Sequence, residues 1–427
     1  MEVARYIAIR PLDVGPPPAA GLADEGDRID AIREDLVASA KELPAMGLER
    51  ADRVADIPAD PSQGGFVTLP EFNALLLEPP VGTPKEAMQE KLDESYVLAP
   101  NFTLSLPETA LGEPVSAADV RPILEVLADH TGVRESHEEG NRGAGTVVAV
   151  LDTGCDGVHR EFEGHQIEFA EIPQDLKVPL NRVDAFDAGT HGTHVTGIAA
   201  GEVVGIAPET DLINASVMES DTLTTTALRV MKALYWLVEL LKEDRYKGKP
   251  VILNMSLGFD PNDIPAEEQE GLEDTLKAMH LLIQQLVVSR QILPVVAIGN
   301  SGPDTSCAPG FFPESLAVGA IDYEDASWPD SSGGFGPTGF DQECNPDIVG
   351  YGVNVVSAVP GSSNGEPNYE RKNGTSMATP YVTGVAALVA AKTGLQGLEL
   401  REHLIDNAIA LGLEPARGGS GLARYCL

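Results

Sequence analysis

The chain has 427 residues, 43% of them hydrophobic, with 43 glycines and 32 prolines, which suits two globular, loop-rich domains and excludes a disordered chain. Its 66 acidic residues against 29 basic ones leave a formal charge of −37, and such a field repels phosphate, which argues against nucleic acid and anionic membrane as partners. No run reads as a signal peptide or a membrane-spanning helix, and four scattered cysteines (Cys155, Cys307, Cys344, Cys426) without a Cys-x-x-Cys pair point to neither a disulfide framework nor zinc. The expected compartment is therefore the cytoplasm, with export by a route that needs no signal peptide as the alternative.

Arg5–Arg10 alternates as a short strand, and Asp27–Leu43 carries Ile29, Ile32, Leu36 and Ala40 near helical spacing. Gly65–Leu77 reads as a second strand broken at Pro70, Pro84–Glu94 as a short helix and Tyr96–Leu106 as a third strand. Residues 1–110 are thus expected to form a small α+β domain of ferredoxin-like type. Residues 111–145 read as a linker with one helix at Val120–Leu127 and a polar, glycine-rich end. From 146 to 427 the pattern changes. Thr146–Leu151, Leu212–Val217, Val251–Met255, Ile292–Ile298 and Leu316–Ile321 are short, nearly continuous apolar runs, as expected of parallel strands buried on both faces. Thr224–Glu243 and Glu267–Gln291 are helical. The prediction is a doubly wound, mostly parallel α/β sheet, whose functional groups collect beyond the carboxyl ends of its strands.

Four places carry chemistry. Asp152 follows a buried strand directly, with Gly154 allowing a sharp turn; a carboxylate there is desolvated and must accept hydrogen bonds. In Gly189-Thr-His191-Gly-Thr-His194-Val-Thr-Gly-Ile-Ala, Val195, Ile198 and Ala199 mark the inward face of a helix that begins near His191. His194, one turn further in, reads as a packed core histidine, and without an intervening Glu the two histidines do not make a zinc motif. In Asn373-Gly-Thr-Ser376-Met-Ala-Thr-Pro380, Ser376 heads a helix whose first N–H groups have no intrahelical acceptor, and Pro380 is expected in its first turn. Asn300 ends a strand between glycines, and one amide aimed at a developing oxyanion is worth roughly 3–4 kcal/mol.

Asp, His and Ser in that chain order, with an Asn before the Ser, is the order of the subtilisin family. Residues 146–392 resemble a subtilisin-like (subtilase) serine peptidase in Val-Ala-Val-Leu-Asp152-Thr-Gly, His191-Gly-Thr-His-Val-Thr-Gly, Asn254-Met-Ser-Leu-Gly258, Gly299-Asn300-Ser-Gly and Gly374-Thr-Ser376-Met-Ala-Thr-Pro. The resemblance implies a serine endopeptidase acting on polypeptides. Ser376 would be the nucleophile, His191 its base and Asp152 the residue orienting that base; Asn300 and the Ser376 backbone N–H would form the oxyanion hole. It further implies that Ser256, Leu257 and Gly258 pair with the substrate backbone. Ala297, Ile298 and Gly299 would flank the main specificity pocket, with Cys307 near its base and an apolar residue preferred before the cut. Tyr381, where many members have His, is expected to be a packing residue.

Residues 1–110 resemble the family's inhibitory propeptide, most clearly in Phe72-Asn-Ala-Leu-Leu-Leu-Glu78, so the N-terminal domain is expected to be a partner that keeps the enzyme latent until processed. No cofactor is required by this reading and no metal site is assigned. Calcium is a candidate ion, but the loop that binds it in secreted relatives is short here, Gly201 to Gly205. Two rival readings are a binding protein on an inactive protease fold, opposed by the intact Asp152, His191, Asn300 and Ser376, and an α/β-hydrolase esterase, opposed by the missing G-x-S-x-G elbow and the chain order.

Overall fold

The computed structural model describes residues 5–11, 23–58, 60, 62–101, 103–105, 112–174, 183–220, 224–261, 271–337, 340, 344–363 and 365–427. The N-terminal part holds β1 (Tyr6–Ile9), α1 (Ala23–Ser39), β2 (Leu48–Arg50), β3 (Gly64–Leu69), β4 (Ala74–Glu78), α2 (Lys85–Gln89) and β5 (Val97–Pro100). Their sheet order is β2-β3-β4-β1-β5. Leaving aside the short edge strand β2, this is the ferredoxin-like order. The stretch read as one strand broken at Pro70 is a hairpin: Pro70–Phe72 form a single 3-10 turn, and β3 and β4 pair antiparallel across it. The period of two places Ala8, Leu75 and Leu77 in a core with Leu36 of α1, Ala40 just after it and Met88 of α2. It sends Ile7, Ile9, Leu76 and Val67 to the opposite face.

The third predicted strand stops at Pro100; β6 (Thr103–Ser105) leaves the sheet and pairs elsewhere, while Leu106 lies outside the described residues. β7 (Glu113–Val115) and the short helices α3 (Ile123–Val126) and α4 (Val133–Glu138) follow, so the linker helix expected at Val120–Leu127 shrinks to one turn. Next come β8 (Val147–Asp152), β9 (Ile167–Glu171), α5 (His191–Ala200), β10 (Asp211–Ser216), β11 (Thr224–Thr226) and α6 (Ala227–Leu240). After them run β12 (Val251–Met255), α7 (Leu272–Arg290), β13 (Leu293–Ala297) and β14 (Leu316–Ile321). A two-residue ladder of β15 (Gly334–Phe335) with β16 (Cys344–Asn345) precedes β17 (Ile348–Tyr351), the hairpin β18 (Val355–Ser363) and β19 (Glu366–Lys372), then α8 (Thr375–Thr393) and α9 (Gly397–Asp406).

Seven strands form one parallel sheet in the order β17-β14-β13-β12-β8-β10-β9. The doubly wound expectation holds, with β9 and β17 as edge strands the apolar pattern did not reveal. Alternate residues serve the two faces: Val148 and Val150 share a core with α5 and α8, whereas Val147, Ala149 and Leu151 share one with α6 and α7. That second core also contains Ile7, Ile9, Val67 and Leu76. The N-terminal sheet therefore lies on the outer side of α6 and α7. No helix among the described residues is long and apolar enough to cross a membrane.

Candidate active site

The predicted residues gather at the carboxyl edge of the parallel sheet. β8 ends in Asp152, which is fully buried and pairs in register with Ser216 of β10. Gly154 then turns the chain at φ +126°, where a Cβ would lie 2.2 Å from the Phe186 carbonyl oxygen. His191 opens α5, 1% exposed, and its Nδ1 lies 2.8 and 2.9 Å from the two Asp152 carboxylate oxygens. A proton on Nδ1 satisfies both, which fixes the neutral tautomer and makes Nε2 the basic nitrogen. The Thr153 N–H donates to Asp152 Oδ1 at 2.7 Å, so the buried charge has two donors.

Ser376 is the second residue of α8 and is fully buried. Pro380 sits inside this helix rather than in its first turn. Lacking an N–H, Pro380 leaves the carbonyl four residues earlier, that of Ser376, without its helical donor. The Ser256 hydroxyl supplies the replacement at 3.0 Å, while Ser376 Oγ donates to the Ser256 carbonyl at 3.4 Å. Asn254 Nδ2 in turn donates to Ser256 Oγ at 3.0 Å, and Thr383 Oγ1 to Asn254 Oδ1 at 2.9 Å. This chain of bonds ties the end of β12 to the start of α8.

Asn300 is aimed by its other end. Its Oδ1 accepts from Thr375 N at 2.9 Å and Thr375 Oγ1 at 2.8 Å, so Nδ2 is the end turned away from that anchor. Gly299, at φ +118°, admits Cys307 beneath it: a Cβ would stand 2.5 Å from Cys307 Sγ. Cys307 N also donates to Ile298 O at 2.9 Å, and a Cβ on Gly258 would lie 3.2 Å from Cys307 Cβ. Cys307 therefore lies between the stretch Ser256–Leu257–Gly258 and the stretch Ala297–Ile298–Gly299. Finally Lys372, four residues before Ser376, donates to the hydroxyl of Thr190, the residue before His191, at 2.6 Å.

His194 behaves as expected: fully buried, its Nε2 meets the Glu370 carbonyl at 3.1 Å, and burial with the nearby Lys372 charge holds its pKa well below the usual histidine value. Tyr381 packs in the core with its hydroxyl on the Ala423 carbonyl at 2.9 Å. The sequence reading missed Asp187, Thr153 and Thr193, which bind one another beside the Asp152–His191 pair. A clue was present in an Asp four residues before the histidine that starts a helix, but an ordinary cap looks the same.

The short turn Gly201–Gly205 does not fit a calcium ion. Buried Glu161 occupies its backbone: Oε2 accepts from Val203 N at 2.8 Å and Val204 N at 3.1 Å, and Oε1 from the Tyr369 hydroxyl at 2.7 Å. Both oxygens face donors rather than a cation's open coordination sphere. Among the described residues no group of three or more His, Cys, Asp or Glu side chains could hold a metal ion.

Asp152, His191 and Ser376 thus stand along one carboxyl edge of a doubly wound sheet. The subtilase family model (Peptidase_S8) matches residues 143–425. The chain is 40% identical over 361 residues to the subtilisin-like protease PopC of Myxococcus xanthus (strain DK1622), covering 80% of this chain and 73% of that one. It is 33% identical over 299 residues to an intracellular serine protease of Paenibacillus polymyxa (66% and 79% covered) and 32% identical over 283 residues to subtilisin BL of Lederbergia lenta (65% and 88% covered). The chain belongs to the subtilase family and is a subtilisin-like serine endopeptidase.

Proposed function

We propose that the enzyme cleaves peptide bonds with Ser376 as nucleophile, His191 as general base and then general acid, and Asp152 as the orienting carboxylate. The observation that carries this is the buried bond from His191 Nδ1 to both Asp152 oxygens at 2.8 and 2.9 Å. In this mechanism Ser376 Oγ attacks the carbonyl carbon as Nε2 takes its proton. Asp152 stabilises the imidazolium, which then protonates the leaving amine. Asn300 Nδ2 and the Ser376 N–H receive the oxyanion. Substrate backbone pairs with Ser256–Gly258 on one side and β11 on the other, and Ala297–Gly299 flank the pocket for an apolar side chain.

We further propose that residues 1–110 are the enzyme's own inhibitor and that processing relieves it. Support comes from β6, which already pairs antiparallel with β11, Thr103 opposite Thr226 and Ser105 opposite Thr224. Asn101 Oδ1 also caps Leu228 N at the start of α6, at 3.2 Å. Glu113–Val115 in turn pair with β19, the strand that leads into Ser376. A reducing compartment such as the cytoplasm suits the four cysteines, all present as thiols.

Both parts are tested together on a denaturing gel. The wild type is expected to give two fragments, cut between Leu106 and Gly145, and Ser376→Ala to stay full length; equal migration would contradict the zymogen reading. On a chromogenic peptide, Asp152→Asn is expected to lower kcat by about 10⁴-fold.

A further inference from the structure

We propose that Asp187 is a positioning residue that holds Asp152 and His191 in register through the hydroxyl of Thr153; the inference rests on the triad reading above. Asp187 lies in the loop before α5, half-buried, and its carboxylate accepts four hydrogen bonds. Oδ1 takes Thr153 Oγ1 at 2.6 Å and Gly189 N at 2.9 Å; Oδ2 takes Thr193 N at 2.7 Å and Thr193 Oγ1 at 2.6 Å. Thr153 follows Asp152 and Thr193 lies two residues past His191, so one carboxylate grips both partners' neighbours.

The Thr153 hydroxyl is the decisive atom. It has one proton and two carboxylates in reach, Asp187 Oδ1 at 2.6 Å and Asp152 Oδ1 at 3.4 Å. The shorter bond takes the proton. The same oxygen accepts from Gly192 N, the residue after His191, at 2.9 Å. A relay thus runs from Asp187 through Thr153 to the first turn of the histidine helix. Without the Asp187 charge, the hydroxyl proton has Asp152 Oδ1 as its remaining acceptor. There it would compete with His191 Nδ1–H for the same oxygen.

Asp187 also does the capping that the helix's own N-cap does not. Thr190 makes no side-chain cap bond, and its hydroxyl accepts instead from Lys372 Nζ at 2.6 Å. Asp187 Oδ2 satisfies the orphan N–H of Thr193 in its place. The carboxylate sits at the positive end of a ten-residue helix, a favourable location for a negative charge. Thr193 Oγ1 passes the constraint on, accepting from Asp156 N at 2.9 Å in the turn after Gly154.

The test is a kinetic cycle with a chromogenic peptide on wild type, Asp187→Asn, Asp152→Asn and the double variant, with melting curves to confirm folding. An amide keeps one acceptor and turns an NH₂ toward the other hydroxyl. Asp187→Asn is therefore expected to lower kcat about 10- to 100-fold with KM within about twofold. In the Asp152→Asn background the same change should cost less than about threefold, because the carboxylate being positioned is gone. An unchanged kcat in Asp187→Asn overturns the proposal. So does an equal loss in both backgrounds, which would mark a general structural defect. Should Asp187→Asn fail to fold, Thr153→Ala cuts the same relay; it is expected to lower kcat with KM kept, and an unchanged kcat there overturns the proposal as well. Failure of the triad reading looks different: Asp152→Asn alone would leave kcat unaltered.

Discussion

In the proposed mechanism Asn300 is aimed by the atom it does not offer to substrate. Its oxygen is held twice by Thr375, and that anchor would leave its amide nitrogen already oriented when charge develops nearby. Asn300→Ala is expected to lower kcat about 100- to 1,000-fold while KM stays similar; measured rates equal to wild type would remove Asn300 from the mechanism. The same economy shows at Ser256, whose hydroxyl takes the Ser376 carbonyl that Pro380 releases. The main polar residues were legible because each sits in a short signature, a strand end or helix start flanked by glycine. Asp187 and Thr153 were not. They lie 34 residues apart, and their bond exists only once the loop before α5 folds across the end of β8.

At the scale of elements, the helix starts and strand ends set the geometry, and their boundaries were the least visible feature of the sequence. Thr224–Glu243 reads as one helix, yet Thr224–Thr226 is an edge strand and the helix begins at Ala227. Three β-branched residues favour the extended form, and β6 arrives to pair with it, a partner no local pattern discloses. α5 and its neighbour turn also bury neutral histidines. Burial is the main cause that lowers the pKa of both His194 and His159, and His159 Nδ1 accepts from Glu161 N at 3.2 Å. The unfolded value is 6.5, and in the folded state both lie below it. Between the two values the unfolded chain binds more protons, so stability is retained above pH 6.5 and falls on acidification. Each such histidine contributes up to about 1.4 kcal/mol per pH unit in that window. Denaturant unfolding between pH 7 and pH 5 should show this loss, with a shallower slope for His194→Gln; a slope unaltered by that change would contradict the assignment of His194 as a neutral core residue.

The whole molecule is a stack: α1 and α2, the N-terminal sheet, α6 and α7, the seven-stranded sheet, then α5 and α8. The sequence disclosed both sheets but not that α6 and α7 serve as a shared layer, since a helix apolar on two sides looks like any buried helix. Polar clamps reinforce this layer. Glu71, buried at the tip of the β3–β4 hairpin, meets both Lys242 (2.7 Å) past α6 and Arg290 at the end of α7, and Lys85 meets Asp274 at 2.6 Å. Glu71 itself is buried, but Lys242 and the Lys85–Asp274 pair are open to solvent, which screens them, so these contacts orient the hairpin on the helices and add to its apolar packing. In the proposed mechanism all of this architecture serves one reactive hydroxyl, that of Ser376. The most direct measurement is to treat the processed enzyme with a serine-directed fluorophosphonate and locate the adduct by peptide mass spectrometry. The account predicts one adduct, on Ser376, abolished in His191→Ala; an adduct on another serine, or none at all on active enzyme, would contradict it.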